Sequence, residues 1–218
     1  MKSKIYFIKF LLGIFLFLYS NFALSDEFKF NASEIVAFDN GNLIKGYKGV
    51  EINDGLDFII TGDTFEFNKI KSELKVENEV LIKDWLNKNT IKSNKIIFYK
   101  KLNIIKSLNE TIIELNDGHI IESSNIIFNK NLNNLTSNEK TQITDLNDNK
   151  IKMNNFSFDI TRSILTAKNV KIIDNRKNIY VVKNIKYNLK TNEILGKDLS
   201  LSLNNDSQSN ENEPRLKG

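Results

Sequence analysis

The sequence predicts an all-β protein: a meandering sheet with one apolar face, built from six two-strand repeats of roughly 30 residues each. Three observations carry this. First, Ser124-Asn125-Ile126-Ile127-Phe128-Asn129-Lys130 nearly repeats Asn94-Lys95-Ile96-Ile97-Phe98-Tyr99-Lys100, and the same near-constant spacing links Phe38, Phe67, Phe98, Phe128, Phe158 and Tyr187. A fixed period of this length marks a repeat architecture. Second, an apolar residue stands two positions before each aromatic, and a further alternating segment follows in the second half of each repeat. Alternation at period two places apolar side chains on one face of a strand. Third, the single proline, Pro214, lies outside the repeats, so no ladder donor is missing from the sheet.

Taken in order, residues 1–25 have the layout of a secretion signal. Lys2 and Lys4 form a basic start, Phe10 to Tyr19 an apolar run, and Ala23-Leu24-Ser25 a small-residue cleavage site. A retained anchor is the rival reading, but a bilayer span takes about 20 apolar residues and Lys9 and Asn21 bracket a shorter run. A cleaved signal, export, and a mature start near Asp26 are expected. The formal charge of +4 loses three lysines with that segment and is left at +1. With no basic cluster carrying interleaved aromatics, the sequence predicts no nucleic-acid partner. It contains no cysteine, so burial alone must hold an exported fold that disulfides usually support.

Residues 26–203 read as one domain. The second strand of each repeat is seen in Val50-Glu51-Ile52, Val80-Leu81-Ile82, Thr111-Ile112-Ile113, Thr141-Gln142-Ile143, Val170-Lys171-Ile172 and Leu199-Ser200-Leu201. Small residues fall between the two halves at Gly46, Ser107, Ser137, Ala167 and Gly196. Asn53-Asp54-Gly55, Asn116-Asp117-Gly118 and Asp174-Asn175-Arg176 supply turns, since Asn, Asp and Gly accept left-handed backbone or bond their own chain. Trp85 interrupts the second repeat, where it is expected to plug a strand edge, with a contact surface as the alternative. Residues 204–218 have the polar composition of a linker or tail.

Catalytic chemistry is not visible. His119 is the only histidine, and its place after Gly118 predicts a surface turn residue. No nucleophile elbow, HExxH pair or phosphate loop occurs. Asp54-Gly55 and Asp117-Gly118 lack the alternating carboxylates of a calcium loop. The reading is therefore of a protein that is not an enzyme, with no catalytic residues, no metal and no cofactor.

The apolar face is the remaining feature. As single residues its members are core; as a set they form a continuous groove able to hold acyl chains, with open sheet edges as templates for another chain's strand. Ile60-Thr61-Gly62-Asp63-Thr64-Phe65-Glu66-Phe67-Asn68 and Gly49-Val50-Glu51-Ile52 resemble the paired strand motifs of the OstA-like domain of lipopolysaccharide-transport (Lpt) proteins, over roughly residues 28–203. The resemblance implies a twisted β-jellyroll, located in the periplasm and associated with the outer membrane. Lipid A acyl chains of lipopolysaccharide would lie inside, and other Lpt jellyroll proteins would dock end to end by β-strand augmentation.

The tail Glu211 to Gly218 resembles the junction that leads to the barrel in the outer-membrane assembly member, which favours that member over the soluble bridge. A barrel domain or barrel partner would then connect it to the outer membrane. The candidate groove residues are Phe65, Phe67, Phe98, Phe128, Phe156 and Phe158, with Ile52, Ile82, Ile113 and Ile172. The docking edges are expected near Ile35 to Phe38 and Leu199 to Leu203. Two alternatives remain open at this level: a small outer-membrane β-barrel, and an exported structural β-solenoid or adhesin without a ligand.

Overall fold

The computed structural model describes residues 28–204; the expected signal and cleavage site, and the tail beyond Asn204, lie outside them. The described chain forms one 14-stranded antiparallel sheet. Its strands are β1 (Lys29–Phe38), β2 (Leu43–Asn53), β3 (Phe58–Gly62), β4 (Thr64–Asn68), β5 (Glu73–Asp84), β6 (Asn89–Tyr99) and β7 (Ile104–Glu114). They continue with β8 (Ile120–Ser124), β9 (Ile127–Asn129), β10 (Asn134–Thr144), β11 (Lys150–Asp159), β12 (Ile164–Ile173), β13 (Ile179–Asn188) and β14 (Glu193–Ser202). β3 with β4, and β8 with β9, are each one strand interrupted at its middle, so the six two-strand repeats are all present and pair in chain order. β1 and β14 do not pair. The described sheet is not a closed barrel, which corrects the outer-membrane barrel alternative, because a spanning barrel leaves no edge.

Most strands break register near their middle, for example between Glu77 and Val80, Ser93 and Lys95, and Ser137 and Lys140. Left-handed residues mark the same line: Asn78, Asn109, Asn125, Asn155 and Asn169 all have positive φ. Asparagine tolerates that region better than other side chains, and bulges bend the strands that carry them. The sheet is therefore creased across its strands, and its two halves close on one another as the walls of a trough. The ring contacts show this closure. Phe30 stands opposite Ile52 on β2 and Phe65 opposite Gly46, about 20 Å apart along a flat strand. Their centroids are nevertheless 4.5 Å apart and stacked. Phe58 and Phe128 likewise meet at 5.7 Å although β3 and β9 lie four strands apart in the sheet.

The small residues between the half-strands line this crease. A Cβ on Gly46 would sit 2.1 Å from the Phe65 ring, and one on Gly196 would sit 2.6 Å from Val182. Further along, buried hydroxyls fill the crease: Thr111 Oγ1 donates to Ser107 Oγ at 2.7 Å, which also takes the Ile126 N–H at 3.0 Å, and Ser123 pairs with Thr141 at 2.7 Å. Burying hydroxyls without such partners would cost stability. Two expectations are corrected here. Trp85 is exposed and plugs nothing, because it sits at the tip of the β5–β6 turn, beyond the last ladder pair, Asp84 with Asn89. His119 is buried although Asn116, Asp117 and Gly118 are exposed, because it closes the turn next to β8 and its ring bonds back to Asp117.

Candidate functional site

The ten groove residues converge on one interior. Phe65, Phe98, Phe128, Phe156, Phe158, Ile52, Ile82, Ile113 and Ile172 belong to a single buried cluster, and Phe67 packs against it half-buried. Phe98, Ile52 and Ile82 have no exposed surface. The first-repeat aromatic, Phe38, does not join them; it stays exposed at the sheet edge.

The two ends of the trough differ. At the N-terminal end Phe28 lies edge-on to Phe67 and Phe98, at 5.3 and 5.4 Å, and Phe30 packs on Phe65 and Phe67. The Lys100 ammonium caps this cluster 4.8 Å from the Phe28 centroid, within the range of a cation–π contact. At the C-terminal end the last inward rung is bare. Ile194 and Leu199 stand opposite the buried Tyr187 and Val182 and hence face the same side, yet they are 45% and 58% exposed. Among the described residues the outer edge of β14 has no pairing partner.

The turns lie along the two rims. Loops 69–72, 100–103, 130–133, 160–163 and 189–192 form one rim. Each is tied to the loop before it by a backbone bond: Lys69 N–H to Asn42 O, Lys100 to Ser72, Lys130 to Asn103, Ile160 to Asn133 and Leu189 to Ser163, all at 2.9–3.0 Å. These five loops contain seven Lys or Arg and no carboxylate. Loops 54–57, 84–88, 115–119, 145–149 and 174–178 form the other rim, with seven Asp and three Lys or Arg. With loop 39–42, which adds Asp39, the first rim stays net basic, and the second is net acidic although loop 174–178 is itself net positive; these rims are the basic and acidic lips.

The lips are joined by one buried cluster. Lys130 Nζ lies 2.5 Å from Asp54 Oδ2 and 2.7 Å from Asp57 Oδ1, with side-chain exposures of 8% for Lys130 and 0% for Asp54. Its ammonium is also 4.1 Å from the Phe58 centroid, and Lys100 donates to the Asp54 carbonyl at 2.5 Å. The other Asp54 oxygen, Oδ1, accepts the N–H groups of Leu56, Asp57 and Phe58 at 3.0, 3.1 and 3.0 Å. Burial alone would raise this carboxyl, but the Lys130 bond, the Phe58 and Leu56 amides and the Lys130 charge outweigh it and hold it below the ordinary aspartate value. Sequence reasoning placed Asp54 only in a turn; its second role depends on Lys130, which belongs to a distant repeat.

The acidic lip has its own ladder. Asn89, Asn149 and Asn178 each accept, through Oδ1, the N–H of a residue in the next loop: Asn116, Asn175 and Asn204, all at 3.0 Å. His119 occupies the corresponding place between Asn89 and Asn149. Its backbone N–H and Nδ1 both reach Asp117 Oδ1, at 3.1 and 2.9 Å, while its Nε2 is buried without a partner. Beside this gap the lips stand apart around a cleft of about 480 Å³. Asn116, His119 and Asp145 line it from the acidic side, and Thr161, Lys190 and Asn192 from the basic side.

No family model and no curated protein matches the sequence. Among solved structures the chain is similar to LptH of Pseudomonas aeruginosa, the LptA-homologous periplasmic component of the lipopolysaccharide transport device. That match has 10% identity and a TM-score of 0.23, covering 88% of this chain and 93% of that one. It is also similar to the TCP10 domain of Danio rerio CPAP, solved with a STIL peptide, at 12% identity and a TM-score of 0.19, covering 78% and 97%. Both TM-scores are low.

Proposed function

We propose that this chain is an exported carrier that holds the acyl chains of lipopolysaccharide in its trough and passes them to similar trough proteins joined end to end. The observation that carries the reading is the continuity of the interior. One apolar cluster runs from Phe28 to Leu189 and ends at β14, whose inward residues are bare and whose edge is unpaired. An amphiphile with long hydrocarbon tails is the ligand such an interior fits, and an unpaired edge strand is the element that another chain's strand would extend. The strand-motif resemblance to the OstA-like domain names lipopolysaccharide as the amphiphile and Lpt jellyrolls as the neighbours.

In the closed state the groove residues pack on each other, so loading requires the walls to part. The crease is the hinge of that motion, and the Lys130–Asp54 contact is the closure it must release. No reaction is assigned to the site.

The test is photo-crosslinking in cells, with a photoreactive residue at the buried Phe128 and a control at Ile127, which points outward on the same strand. A lipopolysaccharide adduct at Phe128 alone is expected. Adducts at neither position in a folded protein would overturn the carrier reading and leave the structural solenoid. End-to-end docking is tested separately. Leu199→Asp, on an already exposed site, should leave folding intact and abolish strand-edge crosslinks to the neighbouring protein; their persistence would remove β14 from the docking edge.

A further inference from the structure

The strands of the two halves of the sheet carry charge differently. β1 to β7 hold eight lysines and nine carboxylates. Five of those lysines, Lys45, Lys48, Lys75, Lys92 and Lys95, form ion pairs with glutamates on the same or a neighbouring strand. β10 to β14 hold eight lysines and only four carboxylates. Among the described residues one of these lysines has a carboxylate partner, Lys183 with Asp198 at 3.8 Å. A second carboxylate, Asp159, faces Arg162 at 3.6 Å.

The unpaired lysines are gathered on the outer face. Lys152 of β11 stands directly opposite Lys171 of β12. Asn154, the next outward residue of β11, lies between Lys140 and Lys168 on the flanking strands. All four lysines are exposed. Like charges directly opposite one another destabilise a sheet, so the arrangement costs stability that a negative partner from outside would offset. We propose that the outer face of β10 to β14 docks on an anionic lipid surface.

Three features select a lipid surface. The lysines spread over five adjacent strands, about 19 Å across, and so form an area rather than a track. Exposed apolar side chains lie among them: Val181 stands opposite Lys171 and Leu195 opposite Lys186, at 46% and 69% exposure. In a headgroup layer the charges attract lipid phosphates while apolar groups enter the acyl boundary. A soluble polyanion would use the lysines and leave Val181 and Leu195 bare. Third, Lys140, Lys152 and Lys171 line a surface groove of about 410 Å³ together with Asn154 and Asn169. Its one carboxylate, Glu122, accepts the Gln142 amide at 2.7 Å. A headgroup phosphate seated in this groove meets three ammonium groups.

The docking face does not depend on the carrier reading, because it uses outward side chains and the groove residues point inward. It would hold the open end at β14 beside the lipid with no barrel partner between them.

The test is vesicle flotation of the full-length chain as the producing cell exports it. Vesicles of phosphatidylcholine mixed with phosphatidylglycerol are compared with phosphatidylcholine alone, at low and high salt. Binding to the mixed vesicles only, and release at high salt, is expected. Lys152→Glu/Lys171→Glu should weaken that binding about tenfold or more. Lys29→Glu/Lys83→Glu, which changes net charge equally on the other half of the sheet, should bind as the parent does. The single variant Lys152→Glu replaces a like-charge pair by an opposite-charge one, so its melting temperature should not fall and its weaker binding cannot be assigned to unfolding. Equal binding to both vesicle types, equal loss in both double variants, or no binding to either would overturn the proposal. Binding to soluble polyphosphate with none to mixed vesicles would assign the face to a soluble polyanion and overturn it as well. A lipopolysaccharide adduct at Phe128 without vesicle binding would leave the carrier reading standing and remove this one.

Discussion

Lys130 and Asp54 meet at 2.5 Å across the mouth of the trough, with the carboxylate fully buried and the ammonium nearly so. The contact closes two half-sheets that are joined covalently only through the crease. Removing one partner of a buried pair leaves the other charged in a dry site and costs about 3–5 kcal/mol. Lys130→Met should therefore lower the unfolding free energy by about 3 kcal/mol in a denaturant titration. Lys130→Met with Asp54→Asn should recover part of it, because no lone charge remains. Equal losses in the single and double variants would mean that the pair does not act as a unit.

The same carboxylate sets a pH dependence. Asp54 is held below its ordinary value in the folded protein, so folding favours its charged form. Its contribution is fully present above the unfolded aspartate value and is lost as pH falls through the lower folded value. Asp174 is shifted in the same direction: burial opposes the shift, and the Asn178 and Tyr180 side chains with the Asn178 and Arg176 amides outweigh it. Melting temperature should fall steeply in acid, and Asp54→Asn should flatten that slope while lowering stability at neutral pH. An unchanged slope would place the acid sensitivity elsewhere.

Gly46 is required by its surroundings. A Cβ there would overlap the Phe65 ring, and ring and backbone are both fixed by β4 pairing with β2. Gly46→Val should destabilise by about 1–3 kcal/mol, the usual cost of overpacking. Gly46→Val combined with Phe65→Leu should recover part of the loss in thermal melts.

His119 interrupts a ladder that asparagine completes in neighbouring loops. His119→Asn would set an amide oxygen near the Leu146 N–H, as Asn89 serves Asn116 and Asn149 serves Asn175. It would also remove a buried nitrogen without a partner. A gain of about 1 kcal/mol is expected, read as a higher melting temperature; a loss would mean that the Asp117–His119 contact matters more than the ladder.

Much of this protein is legible in its residue order because strand alternation and the long repeat period are one-dimensional signals. The six repeats, the face on which Phe98, Phe128 and Phe158 lie, and the small residues at Gly46, Ser107 and Ser137 all follow from spacing alone. The misreadings at Trp85 and His119 share a cause: both occupy turns, and whether a turn side chain points outward or packs back at the rim depends on what stands beside it in three dimensions.

The crease could not be read. Its left-handed residues are mostly asparagines such as Asn109 and Asn169, with Lys48, Glu79 and Asp198 elsewhere on the line, all residue types common along the chain, and they have no distinct signal. Without the crease the lips do not exist. Acidic and basic turns alternate along the chain, half a repeat apart, and a charge count averages them away. Antiparallel pairing sends alternate turns to opposite ends of the strands, and the fold at the bulges brings those ends back face to face. The repeat and its apolar face are thus written in the residue order, because side-chain direction in a strand is a matter of parity. The sorting of turns by sign into two lips, and the reach of Lys130 to Asp54, exist only in three dimensions, because those contacts arise from bending the sheet.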